Sequence, residues 1–339
     1  MRNTVIAALS IMLCACGSSR ETAASGPRLK ATLAASWTVA APARQAAFTR
    51  DGHLLATTDA SGLITVRDSR DWHDVQQLQH PGGATSLAFR DDEQLFSAGY
   101  DGKIRQWDLR QRKLVGTLTG PRGTIWTIDV SPNGQLLATA GEDKVIRVWT
   151  LDTQSAPAQL TGHSRNIWEV RFDKAGARLA SGSFDTSVRL WDVKSRRELK
   201  LLSGHREAVV GLDYSPDGVI LATGADDSTI RFWRSSDGAP LRTIDNGYPV
   251  DKVEFSPDGR WLASGGHAFG ALGEIWHQMT GAGGNGPSVR LWSTKDGALV
   301  ASLPHPDDVI YVAFSPDGRW LVTCGEDKRI RLWRLTQRS

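Results

Sequence analysis

His163, Ser181 and Asp185 are the three residue types of a hydrolase triad: a general base, a hydroxyl nucleophile and a carboxylate to orient the base. The set returns as His205, Thr223 and Asp227, as His305, Thr323 and Asp327, and as His80, Ser97 and Asp101. A catalytic centre is built once, because its parts must converge on one substrate. Four copies along one chain argue instead for a structural role shared by four units. Other routes to catalysis are equally bare. The sequence has no GxxxxGK followed by Ser or Thr, no HExxH, no GxSxG, and no GxGxxG ahead of a helix. The chain reads as a non-enzyme.

A second set of reactive types lies in one glycine-rich stretch, GGHAFGALGEIWHQMTGAGGNGPS, from Gly265 to Ser288. His267, Glu274 and His277 are metal-ligating types, and Trp276 is suited to stack on a sugar or a peptide. Their irregular spacing is unlike that of a defined metal site, so no metal and no cofactor is expected. Long glycine-rich loops in compact domains are usually functional or disordered, and a lid or docking loop is the reading adopted.

Charge excludes another class. Forty Lys and Arg face 37 Asp and Glu, for a net charge of +3 over 339 residues. A nucleic-acid surface needs positive charge gathered on one face, so nucleic acid is not an expected partner. The N-terminus is set apart: MRNTVIAALSIMLCAC joins Arg2 to an apolar stretch from Val5 to Leu13. That stretch is too short to span a bilayer as a helix and fits a secretory signal. Leu13-Cys14-Ala15-Cys16, followed by GSS, resembles the lipobox of bacterial lipoproteins. The resemblance implies cleavage before Cys16 and lipidation of its sulfur. Residues 1–15 would be a signal peptide and residues 16–27 a lipidated flexible tether. Two or three acyl chains hold a protein on a membrane where one does so marginally. The expected location is a membrane surface outside the cytoplasm, at the outer membrane or periplasmic side where the host has one. Cys324, in LVTCGED, stands where sister repeats have Gly or Ala, and reads as a small core residue rather than a nucleophile.

The elements that position the recurrent residues follow from the spacing of tryptophans. Trp107, Trp149, Trp191, Trp233, Trp292 and Trp333 end phrases such as SVRLW and RIRLW, with successive gaps of 42, 42, 42, 59 and 41. Stepping 41 back from Trp107 reaches Val66 in GLITVRD, a weakened copy. Seven repeats result, and the sixth carries an insertion at about 266–286. Each unit reads as four short strands. IWEVRF (167–172) alternates as a strand does, and the SPDG turns at 215–218, 256–259 and 315–318 supply hairpin chemistry. Helical periodicity is absent.

These repeats, with Gly-His at 162–163 and 204–205, resemble the WD-repeat family from about Arg28 to the end. The resemblance implies an all-β fold, a seven-bladed β-propeller of four-stranded blades over residues 28–339. RLKATLAASW (28–37) would supply the missing outer strand of the last blade and close the ring. It also implies that the histidine, the Ser or Thr, the Asp and the Trp of a repeat form one hydrogen-bonded tetrad. The tetrads would be His80–Ser97–Asp101–Trp107, His163–Ser181–Asp185–Trp191, His205–Thr223–Asp227–Trp233 and His305–Thr323–Asp327–Trp333. Repeats one, three and six depart from the pattern. Repeat one has Val39, Ala60 and Val66 in the His, Asp and Trp slots, repeat three has Pro121 for His, and repeat six has Asn246.

In the family, partners bind the face that carries the Gly-His loops and Asp turns. Two slots point there. One, five residues after the histidine, holds Arg44, Thr85, Trp126, Trp168, Val210, Asp251 and Ile310; the other, before the turn Asp, holds Tyr100, Glu142, Phe184, Asp226 and Glu326. Aromatic anchors inside a polar rim are the anatomy of a binding hot spot. The expected function is therefore that of a membrane-anchored scaffold, a monomeric propeller. It would bind a protein or peptide through Tyr100, Trp126, Trp168 and Phe184, with Glu142, Asp226, Asp251, Glu326 and Trp276 around them. The alternative is a propeller enzyme or sugar-binding module using the blade-six insertion and the central channel.

Overall fold

Apolar residues alternate along short segments bounded by turns, and the chain can bury them only by stacking one sheet on the next. A computed structural model describes residues 28–153, 155–267 and 288–338. It forms seven four-stranded antiparallel sheets arranged as a seven-bladed propeller, with no helix among the described residues. Blades one to six are consecutive meanders that begin at Ala43, Ala84, Ile125, Ile167, Val209 and Val250. Blade seven takes three strands from Val309 to Arg338 and its outer strand from Arg28–Thr38. That strand pairs with the C-terminal one from Arg28 opposite Arg338 to Thr38 opposite Arg329, which closes the ring. An outer edge left bare would invite pairing with another chain.

The core is divided among seven seams, one between each pair of blades. At the seam of blades four and five, Val188, Leu190 and Leu202 meet Leu212, Tyr214 and Trp233, all nearly excluded from solvent. Each large side chain buried in this way contributes roughly 1.5–3 kcal/mol. Cys324 is fully buried in such a seam, and burial pushes its thiol well up, so it behaves as an apolar filler. At the closing seam Trp72 packs its ring edge-on against Trp320 and also touches Trp37.

The first strand of every blade is a free edge facing the central channel. Its N–H groups find acceptors on the preceding blade. Leu87 N donates to Gln45 Oε1 (2.6 Å), Phe172 N to Asp129 Oδ2 (2.7 Å) and Phe255 N to Asp213 Oδ2 (2.9 Å). Phe314 N donates to Glu254 Oε1 at 3.0 Å. These channel carboxylates thereby satisfy buried backbone donors. Across the channel Lys252 donates to Glu169 Oε1 (2.8 Å) and lies 4.7 Å from the Tyr311 ring centre. Tyr311 Oη in turn accepts from Gln45 Nε2 (2.9 Å) and from Arg171 (3.0 Å).

Candidate protein-binding surface

The recurrent histidines are structural partners. His163 joins Asp185 Oδ2 (2.8 Å) to Ser181 Oγ (2.7 Å), and Trp191 Nε1 donates to the same hydroxyl at 2.9 Å. His205 joins Asp227 (3.1 Å) to Thr223 (2.8 Å), with Trp233 donating to Thr223 at 2.9 Å. His80 lies 2.8 Å from Ser97 and 3.1 Å from Asp101, and Trp107 completes the chain at 2.8 Å. The hydroxyls are buried and already occupied, so none is presented as a nucleophile. The fourth expected tetrad is incomplete. His305 reaches Thr323 (2.8 Å), and Trp333 donates to Thr323, but the other ring nitrogen meets the Leu303 carbonyl at 2.8 Å. Asp327 pairs with Arg331 instead.

Register also corrects two slots of repeat one. Leu55 faces Arg67, as Leu179 faces Trp191, so Arg67 and not Val66 occupies the tryptophan position. Ser61 and not Ala60 then takes the aspartate position, and the turn is held by Asp59, whose Oδ1 accepts from the Ser61 hydroxyl at 2.5 Å. In blade six Asn246 stands for histidine: Ser264 Oγ donates to Asn246 Oδ1 (3.0 Å) and accepts from Trp292 Nε1 (2.9 Å).

The mouth of the channel is built by a repeated irregularity. Every first strand shifts register at one residue, and the seven skipped residues are Arg44, Thr85, Trp126, Trp168, Val210, Asp251 and Ile310. A β-bulge re-aims the side chain that it carries, which is why one sequence slot forms a ring around the mouth. On blades two to four the ring is aromatic. Tyr100 meets Trp126 edge-on at 5.9 Å, Trp126 stacks on Trp168 at 4.6 Å, and Trp168 meets Phe184 at 5.3 Å. Tyr100 is 37% exposed, and the other three are half-buried. Beside them opens a cavity of about 300 Å³, lined among others by Tyr100, Trp126, Trp168, Asp251, Ile310 and Tyr311.

On blades five to seven the ring is acidic. His267 Nδ1 lies 2.9 Å from Asp251 Oδ1, and Arg44 donates to Glu326 Oε1 at 2.6 Å. The hydrogen bond to Asp251 raises the His267 imidazole to about 9, with the charges of Asp251, Asp226 and Asp308 adding to it. Burial, then repulsion from Asp251, lifts Asp226 to about 6. One ligand atom each of Asp226, Asp251 and His267 lies within 4.8 Å of the others, the spacing of a divalent-cation site. The imidazolium occupies that role in the arrangement described, as counter-ion to the two carboxylates.

Residues 72–108, 112–150, 155–192, 196–234, 238–268 and 297–334, well over half of the chain, match the family model "WD domain, G-beta repeat". The chain belongs to the WD-repeat family. The matched segments begin after blade one's third strand, where Arg67 replaces tryptophan, and break across the blade-six insertion. A Dictyostelium discoideum HIRA protein is 33% identical over 100 residues, 29% of this chain and 8% of that protein. Subunit I of eukaryotic translation initiation factor 3 from Aspergillus niger is 44% identical over 50 residues, 15% of each chain. A coronin-like protein of Saccharomyces cerevisiae is 38% identical over 50 residues, 15% of this chain and 8% of that one. The chain thus covers no more than 15% of any of these three relatives.

Within this WD-repeat ring the four aromatic residues come together as a continuous row, and Asp226 and Asp251 adjoin one another. Glu142 is exposed and accepts from Thr124 N at 3.0 Å, and so caps its own loop. Trp276, Glu274, His277 and Cys16 lie outside the described residues. Sequence reasoning missed that His267 holds blade six's turn slot. The signal was there: it follows Asp251 by 16 residues, as Phe184 follows Trp168 and Glu326 follows Ile310. The Arg44–Glu326 pair, which joins the first and last blades, was not visible before the ring was closed.

Proposed function

We propose that the protein is a non-catalytic, membrane-tethered WD-repeat scaffold outside the cytoplasm that docks a protein or peptide partner on its loop face. The observation that carries the docking reading is the row Tyr100–Trp126–Trp168–Phe184 at the channel mouth. Four adjoining rings, of which Tyr100, Trp126 and Trp168 line the cavity, offer large rigid contact area at low entropic cost, as binding hot spots do. WD-repeat relatives named as subunits of larger assemblies fit the same reading. The tether rests on the sequence around Cys16.

Two experiments test it. In pull-downs from detergent-solubilised envelope, Trp126→Ala with Trp168→Ala should weaken capture by roughly 30-fold or more, while Arg260→Ala on the opposite face leaves it unchanged. Full capture by a folded double variant would move the docking face elsewhere. In fractionation, Cys16→Ser should release the protein or leave it unprocessed, and Cys14→Ser should leave it membrane-bound. Equal behaviour of the two variants would remove the lipid anchor.

A further inference from the structure

The two halves of the mouth differ in what they leave unmet. On the aromatic half, the indole N–H of Trp126 is buried and has no acceptor among the described residues. On the acidic half, Glu326 is neutralised by Arg44, and Glu169 by Lys252 and Arg171. Asp251 has His267, but Asp226, half-buried beside it, takes no hydrogen bond among the described residues. Asp226 and Asp251 thus place two carboxylates beside one imidazolium. The cavity between the halves is lined by the Tyr100, Trp126 and Trp168 rings, by Asp251 and Glu169, and by Arg44 and Lys252, whose charges are already paired with Glu326 and Glu169.

We propose that this cavity receives one arginine side chain of the docked segment, its guanidinium set between the Trp126–Trp168 stack and the Asp251–Asp226 pair. This deepens the docking reading and rests on it. A cation is favoured by both walls: ring faces attract it through their quadrupole, and the surplus carboxylate neutralises it. Arginine suits the space better than lysine. Its flat group stacks on an indole while its N–H fork meets a carboxylate, and it is more weakly hydrated than an ammonium.

The test uses acetyl-Gly-Arg-Gly-amide as probe, with the citrulline and lysine peptides as matched controls, titrated calorimetrically into the whole protein. The arginine peptide should bind saturably, and the uncharged citrulline isostere at least about 10-fold more weakly, with lysine between them. Asp251→Asn and Trp168→Ala, each checked for a cooperative unfolding transition well above the assay temperature, should each weaken it by about 10-fold or more. Equal binding of the arginine and citrulline peptides, no saturable binding of the arginine peptide, or unchanged affinity in Asp251→Asn would each overturn the proposal. Competition separates the two readings. If excess arginine peptide fails to displace a captured partner that Trp126→Ala with Trp168→Ala does release, the docking face stands and the arginine pocket falls. If the partner is indifferent to the tryptophans as well, the docking reading itself fails.

Discussion

Arg67 donates from its guanidinium to Thr57 Oγ1 at 3.0 Å, the bond that an indole N–H makes to a serine or threonine hydroxyl in each of the other six blades. Blade one therefore keeps the hydrogen bond and changes the donor. The guanidinium also lies 4.6 Å from the Trp37 ring centre, so it stacks on the strand that closes the ring. With its charge balanced by Asp74 at 2.9 Å, it stays buried without being stranded. Arg67→Ala should destabilise the protein by roughly 2–4 kcal/mol, because it leaves a cavity and an unmet hydroxyl together. Arg67→Lys should lose most of the same amount, since an ammonium cannot stack and fork at once. Urea unfolding curves decide this. A loss below about 0.5 kcal/mol, the usual scatter of surface changes, would mean that Thr57 and Trp37 do not depend on Arg67.

The tetrad aspartates should set the acid limit of stability. Burial opposes ionisation of Asp185, yet donors from His163, Ser187 and the Ser164 N–H outweigh it and hold the carboxyl well below its ordinary range. Asp227 is held down in the same way by His205, Thr229 and the Arg206 N–H. A folded value below the unfolded one gives stability that is complete above about pH 5 and is lost as pH falls through about 4 and below. His305 acts earlier on the same limb. Burial pushes its imidazole down to about 4, so between roughly pH 6.5 and 4 the unfolded chain takes up the proton first. These two contributions to the unfolding free energy should therefore be lost in two stages on acidification, against the opposite contribution of raised carboxyls such as Asp226. His305→Gln should flatten the first, and Asp185→Asn with Asp227→Asn the second. A single acid stage unaffected by either change would show that other groups govern it.

Much of this architecture is legible in the chain because its signals repeat. The tryptophan spacing, the SPDG turns and the alternation in segments such as 167–172 each recur, so one error of reading is corrected by the next copy. Repeat one is where that redundancy fails. Its donor changed type, and spacing counted from Trp107 falls one residue short, on Val66 rather than Arg67. His305 shows a different limit, since its ring meets the Leu303 carbonyl and not Asp327, a choice that no spacing encodes. The bulges are subtler still. They leave no residue-type signature, as Arg, Thr, Trp, Val, Asp and Ile all occupy the slot, yet they decide which side chains reach the mouth. Contacts between blades distant in sequence, such as Lys252 with Glu169, follow only from the closed ring.

That channel pair should behave as a strut. Lys252 is 2% exposed and ties blade six to blade four, with Arg171 meeting the same Glu169 oxygen at 2.7 Å. Lys252→Met alone should cost about 3–5 kcal/mol, because it strands part of a buried negative charge. Adding Glu169→Gln should restore a large part of that loss rather than add to it, since the second change removes the stranded charge. A double-mutant cycle measures the coupling directly. Strict additivity would mean that water already screens the pair and that the channel is open at this level.

The acidic half of the mouth should make binding of a basic segment depend on pH in two steps. Asp226 ionises at about 6, under burial and the charge of Asp251, so the mouth gains negative charge as pH rises from 5 to 7. His267 gives up its proton at about 9, which uncovers Asp251 and adds a second increment. Affinity for an arginine peptide should therefore rise across both ranges and weaken with salt at every pH. Stability should move the other way at the alkaline end. A histidine held above its unfolded value of about 6.5 contributes fully below that pH, and the contribution is lost as pH rises through about 9. Calorimetry across the range, with the His267 ring followed by NMR, checks both. Asp226→Asn should erase the lower step alone. Asp251→Asn should return His267 toward an ordinary imidazole and erase the upper one. If affinity is flat from pH 5 to 10 while His267 titrates near 9, the acidic cluster braces the blade-six turn and does not face the partner.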